Sequence, residues 1–473
     1  MKKSLLASTV SLLLLIGACR NQAETNQTEN RTVTGDTTAV QTGQAPPNPD
    51  WAANATIYEV NTRQFSKEGT FNAVTQQLPR LKELGVDIVW LMPIYPISQK
   101  NKKGSLGSPY AVADYLAVNP AYGTLNDFKA LVKRAHGLGM KVILDWVPNH
   151  TGWDHKWITE HPDYYTMVNG KMTAPIDPGN GKPTDWTDVA DLNYDNPDMR
   201  KAMTGAMSFW LRECDIDGFR CDVAGFVPND FWKELRPALD KVKPVFMLSE
   251  WEAEPEHFKN GFNMTYGWGM HTVMKAVAQG AKPATVIDSM VTLNRQRFPA
   301  WYYQMLFTQN HDENTWNGTL KESFKEGADA FIVLSSTLEG MPLVYNGMES
   351  NLNKRLPFFE KDSINWGTYA KTDFFKSLLT LKHRNRALWN GLAGGKAVKI
   401  PTGDDAKVYA FYRQKDNDWV TVILNLSNQP VTTRMEGSGY EGTFMEIFTR
   451  TSSEIKPGMN ITLKPWEYRV YTN

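Results

Sequence analysis

The sequence predicts an α/β fold: a parallel sheet closed as a (β/α)8 TIM-type barrel, with a small insertion after its third strand and a C-terminal antiparallel β-sandwich. Three patterns predict it. Between Ile57 and Leu392, short apolar runs alternate with longer amphipathic ones, as in strand–helix–strand units, and the right-handed crossover rule leaves few other closed arrangements. Four of the apolar runs finish in ionisable residues at their C-terminal ends, the side on which a parallel barrel opens all its strands onto one face. Beyond Leu392 the apolar residues recur at every second position, as in strands with one buried face.

The elements follow in order. Met1-Lys2-Lys3 and the apolar run Leu5 to Ile16 form a secretory leader, too short to span a bilayer. It ends Ile16-Gly17-Ala18-Cys19, which resembles the cleavage box of bacterial lipoproteins. That resemblance implies removal of residues 1–18, lipidation of Cys19, and an exported protein anchored to a bacterial membrane at the cell surface or periplasmic face. A plain secretory leader with an incidental cysteine is the alternative. Residues 19–50 are rich in Gln, Asn, Thr and Pro and read as a disordered tether.

Residues 51–395 read as the barrel. Strands are expected at Ile57–Val60, Asp87–Ile94, Val142–Trp146, Phe219–Val223, Val245–Glu250, Phe262–Tyr266, Met305–Thr308 and Leu343–Asn346, with helices at Val74–Leu84, Phe128–Leu138 and Met203–Glu213. The stretch 151–190, with its Trp, Tyr, Pro and Gly residues, is too long for an ordinary loop and reads as the insertion. Residues 396–473 form the sandwich, with strands at Lys407–Tyr412, Trp419–Leu424, Gly442–Phe448 and Tyr468–Tyr471.

Bulk composition narrows the function. With 51 basic and 51 acidic residues the net charge is zero, which gives no reason to expect a nucleic-acid partner or an anionic membrane surface. The 16 Trp and 18 Tyr are abundant; most belong to the core, and some are free to stack on the apolar faces of sugars. Cys214 and Cys221 are read as buried free thiols, because a helix end and a strand interior seldom present bridging geometry.

The charged strand Gly218-Phe219-Arg220-Cys221-Asp222 needs a reason for its charges. Side chains two apart share a face, so Arg220 and Asp222 project together while Phe219 and Cys221 face away. A guanidinium beside a carboxylate keeps it ionised, as a nucleophile requires; a purely structural ion pair at a strand end has the same appearance.

Three further strand ends decide between these. Asp145…Asn149-His150, Gly218 to Asp222, Glu250 and Asn310-His311-Asp312, in that order, resemble the four signature regions of the α-amylase family of glycoside hydrolases. Asp191-Leu192-Asn193 and Gly340-Met341-Pro342…Gly347-Met348-Glu349 resemble two further segments, so that the likeness spans residues 51–473. It implies Asp222 as nucleophile, Glu250 as general acid and base, and Asp312 as stabiliser of a distorted, cationic ring. It further implies substrate contacts from Tyr110, His150, Arg220 and His311. Adjacent strands lie about 4.8 Å apart, which suits the ~5–5.5 Å carboxyl separation of a retaining, double-displacement mechanism.

The function implied is endo-hydrolysis of α-1,4 bonds in starch, glycogen or maltooligosaccharides by a monomer, without an organic cofactor and with the lipid anchor as the only membrane contact. Asn149 and Asp191 match two family calcium ligands, which leaves Ca2+ as a candidate cofactor. The Lys-His pair that many members carry after the nucleophile is here Gly225-Phe226. That departure weakens the calcium assignment and keeps open a neopullulanase, cyclomaltodextrinase or transglycosylating activity. A catalytically inactive glycan-binding lipoprotein is the reading from another class; retention of all three acids argues against it.

Overall fold

The structure, a computed structural model, describes residues 48–473; the leader, Cys19 and residues 19–47 of the expected tether lie outside the described residues. Eight parallel strands close a barrel in chain order: β1 Ile57–Val60, β2 Ile88–Leu91, β3 Lys141–Trp146, β4 Gly218–Cys221, β5 Phe246–Ser249, β6 Met264–Tyr266, β7 Tyr303–Leu306 and β8 Met341–Tyr345, with β8 pairing back onto β1. Strand alternation divides the apolar residues between two cores. Ile57, Ile88, Ile143, Phe246, Met264 and Met305 fill the barrel, while Tyr58, Val89, Leu144, Phe219 and Met247 face the surrounding helices. Gly218 permits the close approach of β4 to β5, since a Cβ there would lie 1.9 Å from the Phe246 carbonyl oxygen.

The helices of ten or more residues are α1 Phe71–Leu84, α2 Leu125–Gly137, α3 Pro197–Cys214, α4 Asn229–Asp240, α5 Trp268–Ala278, α6 Thr285–Arg297, α7 Ala328–Thr337 and α8 Thr372–Arg384. Their ends are chemically marked. Thr70 caps α1 by accepting from the Ala73 N–H, and Gly85 ends it with a left-handed φ of 103°. The repeat is irregular after β5, which leads only to the 3-10 turn Pro255–Asn260, and after β6, which leads to two helices, α5 and α6. The strand expected to run to Val223 stops at Cys221, because Val223 turns into the left-handed region, φ 35° and ψ 50°.

The segment after β3 leaves and returns through a ladder of His150–Gly152 against Val189–Asp191, which gathers the insertion at its root. The C-terminal strands are β9 Ala397–Ile400, β10 Val408–Lys415, β11 Asp418–Asn425, β12 Val431–Arg434, β13 Gly442–Glu446, β14 Ser452–Ile455, β15 Asn460–Leu463 and β16 Tyr468–Thr472. They form a six-stranded antiparallel sheet ordered β9-β10-β11-β16-β13-β14 and a separate β12-β15 pair, which share a core that includes Ile400, Ile423, Val431 and Leu463.

Helix α7 lies between barrel and sheet and is buried from Ala330 to Thr337, which explains its lack of a polar face. Arg413 of β10, 1% exposed, donates to the carbonyls of Thr337 (3.0 Å) and Leu338 (2.7 Å) at the end of α7, and to those of Trp389 (3.0 Å) and Gly395 (2.8 Å). The terminal sheet thus supplies the C-cap of a barrel helix. Cys214 and Cys221 are buried and free, and no helix among the described residues is long and apolar enough to cross a membrane.

Candidate active site

The C-terminal mouth of the barrel gathers the charged strand ends around Arg220, which is wholly buried. Its Nη1 donates to Asp145 Oδ1 of β3 at 2.7 Å and to Asp222 Oδ1 at 2.9 Å, and its Nε donates to the Tyr266 hydroxyl at 3.1 Å. Nη2 lies 2.6 Å from Glu250 Oε1 without hydrogen-bond alignment, a charge contact. The faces of Trp90, Tyr110 and Tyr266 surround the guanidinium at 5.3–5.7 Å. Asp222 and Glu250 therefore meet the same guanidinium from neighbouring strands, where β4 and β5 pair Cys221 with Ser249.

This corrects the simple picture of one guanidinium serving one nucleophile. Three carboxylates, two of them buried, share Arg220. Burial and the facing Glu250 push Asp222 well above the usual carboxylate range, against the pull of Arg220. Asp145 is raised to about 6 by burial, with Arg220 and His311 pulling it down. Asp222 and Asp145 are thus both harder to ionise than exposed carboxylates, and Arg220, in contact with each, opposes that. Glu250 is also held by the backbone: the Val223 N–H donates to its Oε2 at 2.8 Å. A β-branched residue with positive φ is strained, and here the strain aims an amide at the carboxylate beside Asp222.

His311 and Asp312 stand across the mouth. His311 Nδ1 contacts Glu59 Oε1 of β1, and Nε2 lies 2.8 Å from the Tyr110 hydroxyl and 3.2 Å from Asp312 Oδ2. Burial opposes the charged imidazole, but Asp312 and Glu59 outweigh it and hold His311 at about 9. The cation donates to Tyr110, which donates to Asp145 Oδ2 at 3.0 Å, so a continuous chain runs from Glu59 through His311 and Tyr110 to Asp145. Asp312 is the most open of these acids, with 33% of its side chain exposed against 12% for Asp222 and Glu250, which places it on the cleft wall.

His150 is buried and neutral, pushed down to about 3 by burial, and packs edge-on against Trp186 of the insertion at 5.9 Å. Trp186 stacks on Phe226 at 5.6 Å, and Phe226 meets Trp251 at 5.7 Å. Gly225 makes room: a Cβ there would lie 2.1 Å from the Trp251 ring. The Gly225-Phe226 departure therefore builds an aromatic wall on the Glu250 side of the mouth.

The Asn149 amide donates to Asp191 Oδ1 at 3.3 Å. Burial raises Asp191 to about 6, and among the described residues no basic side chain pairs with it. That unbalanced carboxylate with an amide beside it is compatible with a hard cation, although no group of three or more His, Cys, Asp or Glu among the described residues is placed to hold a metal.

All seven residues expected at the site meet at the mouth, with Asn149 and Asp191 beside them. Two further acids join the site: the sequence marks Asp145 only as part of a motif and Glu59 only as part of a strand. A carboxylate inside an otherwise apolar four-residue strand was the available signal for Glu59.

The comparisons agree with this geometry. The model of the alpha amylase catalytic domain matches residues 26–390, and that of the maltogenic amylase C-terminal domain matches residues 400–470. The alpha-amylase MalA of Haloarcula japonica is 29% identical over 409 residues, covering 84% of this chain and 58% of its own length, so this chain spans little more than half of that relative. Neopullulanase 2 of Thermoactinomyces vulgaris is 26% identical over 491 residues, covering 90% of this chain and 78% of its own. The crystal structure of a noncanonic maltogenic alpha-amylase, AmyB of Thermotoga neapolitana, superposes with a TM-score of 0.78 at 28% identity over 89% of this chain and 98% of that one. With its catalytic domain matched over most of its length and four ordered strand ends converging on one mouth, the chain belongs to the alpha-amylase family and is a glycoside hydrolase.

Proposed function

We propose that the protein cleaves α-1,4-glucosidic bonds within α-glucans by double displacement, with retention of configuration. The observation that carries this is the pairing of Asp222 and Glu250 at one guanidinium from adjacent strands, spaced on the order of the ~5 Å of neighbouring strands, which suits a covalent intermediate. Asp222 attacks the anomeric carbon while Glu250 gives its proton to the departing oxygen. Glu250 then takes a proton from water, which attacks the glycosyl–Asp222 ester and releases the sugar. Asp222 must be anionic to attack, and the Arg220 guanidinium at 2.9 Å favours that anion against burial and the facing Glu250. Asp312 and the other acids of the mouth oppose the positive charge that develops on the ring, and His311 and Tyr110 orient its hydroxyls.

Asp222→Asn is expected to lower reducing-end release from soluble starch by about 10^4-fold or more, and proton NMR of the unmutated enzyme's first products is expected to show the α-anomer. Initial β-anomer would refute retention, and full activity of the variant would refute the nucleophile.

A second reading rests on the aromatic wall Trp186–Phe226–Trp251, which favours a sugar over water as acceptor, and on the likeness to relatives named neopullulanase and maltogenic amylase. Product analysis on starch, pullulan and cyclodextrin separates the two. Asn149 and Asp191 would hold Ca2+, whose charge would balance Asp191 at the root of the insertion; a melting temperature lowered by chelator is the expected sign. The leader and Cys19 support export and lipid anchorage, tested by fatty-acid labelling that Cys19→Ala abolishes.

A further inference from the structure

Trp316 is 52% exposed, an unusual setting for so large an apolar ring. It sits in the five-residue π-helical turn Glu313–Asn317 that follows Asp312 directly, and such turns recur at functional sites. Its ring lies 5.2 Å from Phe358 and 5.9 Å from Phe359. Phe358 in turn stacks on Tyr110 at 6.0 Å with an interplanar angle of 7°. An aromatic strip therefore leads from the floor of the site to the surface.

The strip is lashed in place. Asn314, 2% exposed, accepts from the Leu356 N–H at 2.8 Å and donates to the Lys354 carbonyl at 3.0 Å, while Thr315 donates to the Leu356 carbonyl at 2.8 Å. From the other side Arg63 donates to the Phe358 carbonyl at 2.9 Å and Gln64 to the Pro357 carbonyl at 2.8 Å. The indole N–H of Trp316 has no partner among the described residues and is free to donate to a hydroxyl. Position gives the strip a direction. In the closed eight-stranded barrel the end of β8, which leads to Phe358, stands across the mouth from that of β4, which carries Asp222, and β6 separates the end of β7, which leads to Trp316, from that of β5 and its Glu250. Because Glu250 protonates the leaving oxygen, the departing sugar lies on the β5 side and the retained glucosyl strand extends towards Asp312 and Trp316.

We propose that Trp316, backed by Phe358 and Phe359, is a rigid platform for the second glucosyl ring of the retained strand, and that it makes the rate depend on the length of that strand. The proposal rests on the α-glucan reading above and adds a specificity-determining residue to it.

Nitrophenol release from 4-nitrophenyl α-glucoside and α-maltoside measures the effect, since the two differ by one retained ring. The ratio of kcat/KM for maltoside over glucoside is expected to fall about tenfold in Trp316→Ala, near the upper end of one aromatic stacking contact, and to survive in Trp316→Phe. An unchanged ratio in Trp316→Ala, or equal losses on both compounds, overturns the platform. Tryptophan-fluorescence quenching by maltotriose in Asp222→Asn, absent in Asp222→Asn/Trp316→Phe, supports it independently, and equal quenching in both overturns it. If the unmutated enzyme releases nitrophenol from neither compound and no sugar from starch, the hydrolase reading itself fails and takes the platform with it.

Discussion

Glu59→Gln isolates a charge from a hydrogen bond. Glutamine keeps an acceptor beside His311 Nδ1 but removes one of the two anions that hold the imidazole at about 9. The distance from the ordinary 6.5 to about 9 corresponds to about 3 kcal/mol favouring the cation, maintained against burial by Asp312 and Glu59 together. With Glu59 neutralised, burial prevails further and the value moves down. The charged ring matters because its Nε2–H donates to Tyr110, which donates to Asp145; loss of the proton breaks that direction and removes one of two cations facing five carboxylates. The pH profile of kcat/KM on soluble starch is the assay. The unmutated enzyme should stay active to near pH 9, whereas Glu59→Gln should lose about tenfold between pH 7 and 8 as the basic limb moves into that range. Stability should follow the same group: a raised folded value contributes fully below 6.5 and is lost as pH rises through about 9, so the variant's alkaline stability curve should be flatter over that span. A variant profile parallel to the original through pH 9 would refute the role of Glu59.

Two further outcomes are expected. Val223→Gly relieves a left-handed valine, so chemical denaturation should show a gain of up to about 1 kcal/mol, while kcat should fall several-fold as the amide that holds Glu250 loosens; lower stability with unchanged kcat would contradict this. At the opposite end of the barrel, burial opposes ionisation of Asp217, but His136 at 2.7 Å, the Val142 N–H and Lys141 outweigh it and hold it below the ordinary carboxylate range. Its contribution is therefore present above the unfolded carboxylate value and lost as pH falls through the lower folded one. Melting temperatures of Asp217→Asn should accordingly depend less on pH below about 4 than those of the unmutated protein.

The barrel and most of its mouth were legible because the relevant residues terminate apolar strands, and such ends are visible in one dimension. Asp145, Asp222, Glu250 and Asp312 each follow a recognisable run. Glu59 lies inside its strand, and its partner His311 is 252 residues away, so only closure of β1 against its neighbours brings the two together. Val223 looked like a continuation of β4, since nothing in a valine announces a left-handed turn. In the terminal sheet, Val431–Arg434, Ser452–Ile455 and Asn460–Leu463 escaped notice because four-residue strands with one or two core-facing side chains carry almost no periodic signal. The aromatic wall was hidden for a different reason: Trp186, Phe226 and Trp251 come from three separate loops.

The guanidinium of Arg413 has an implication for the order of assembly. A ribosome delivers the last barrel strand, ending at Tyr345, roughly seventy residues before Arg413 emerges, and until then the carbonyls at the end of α7 lack their donor. The closed barrel is thus finished by the tail of the polypeptide, and a chain truncated before residue 413 should be a substrate for proteases rather than for folding.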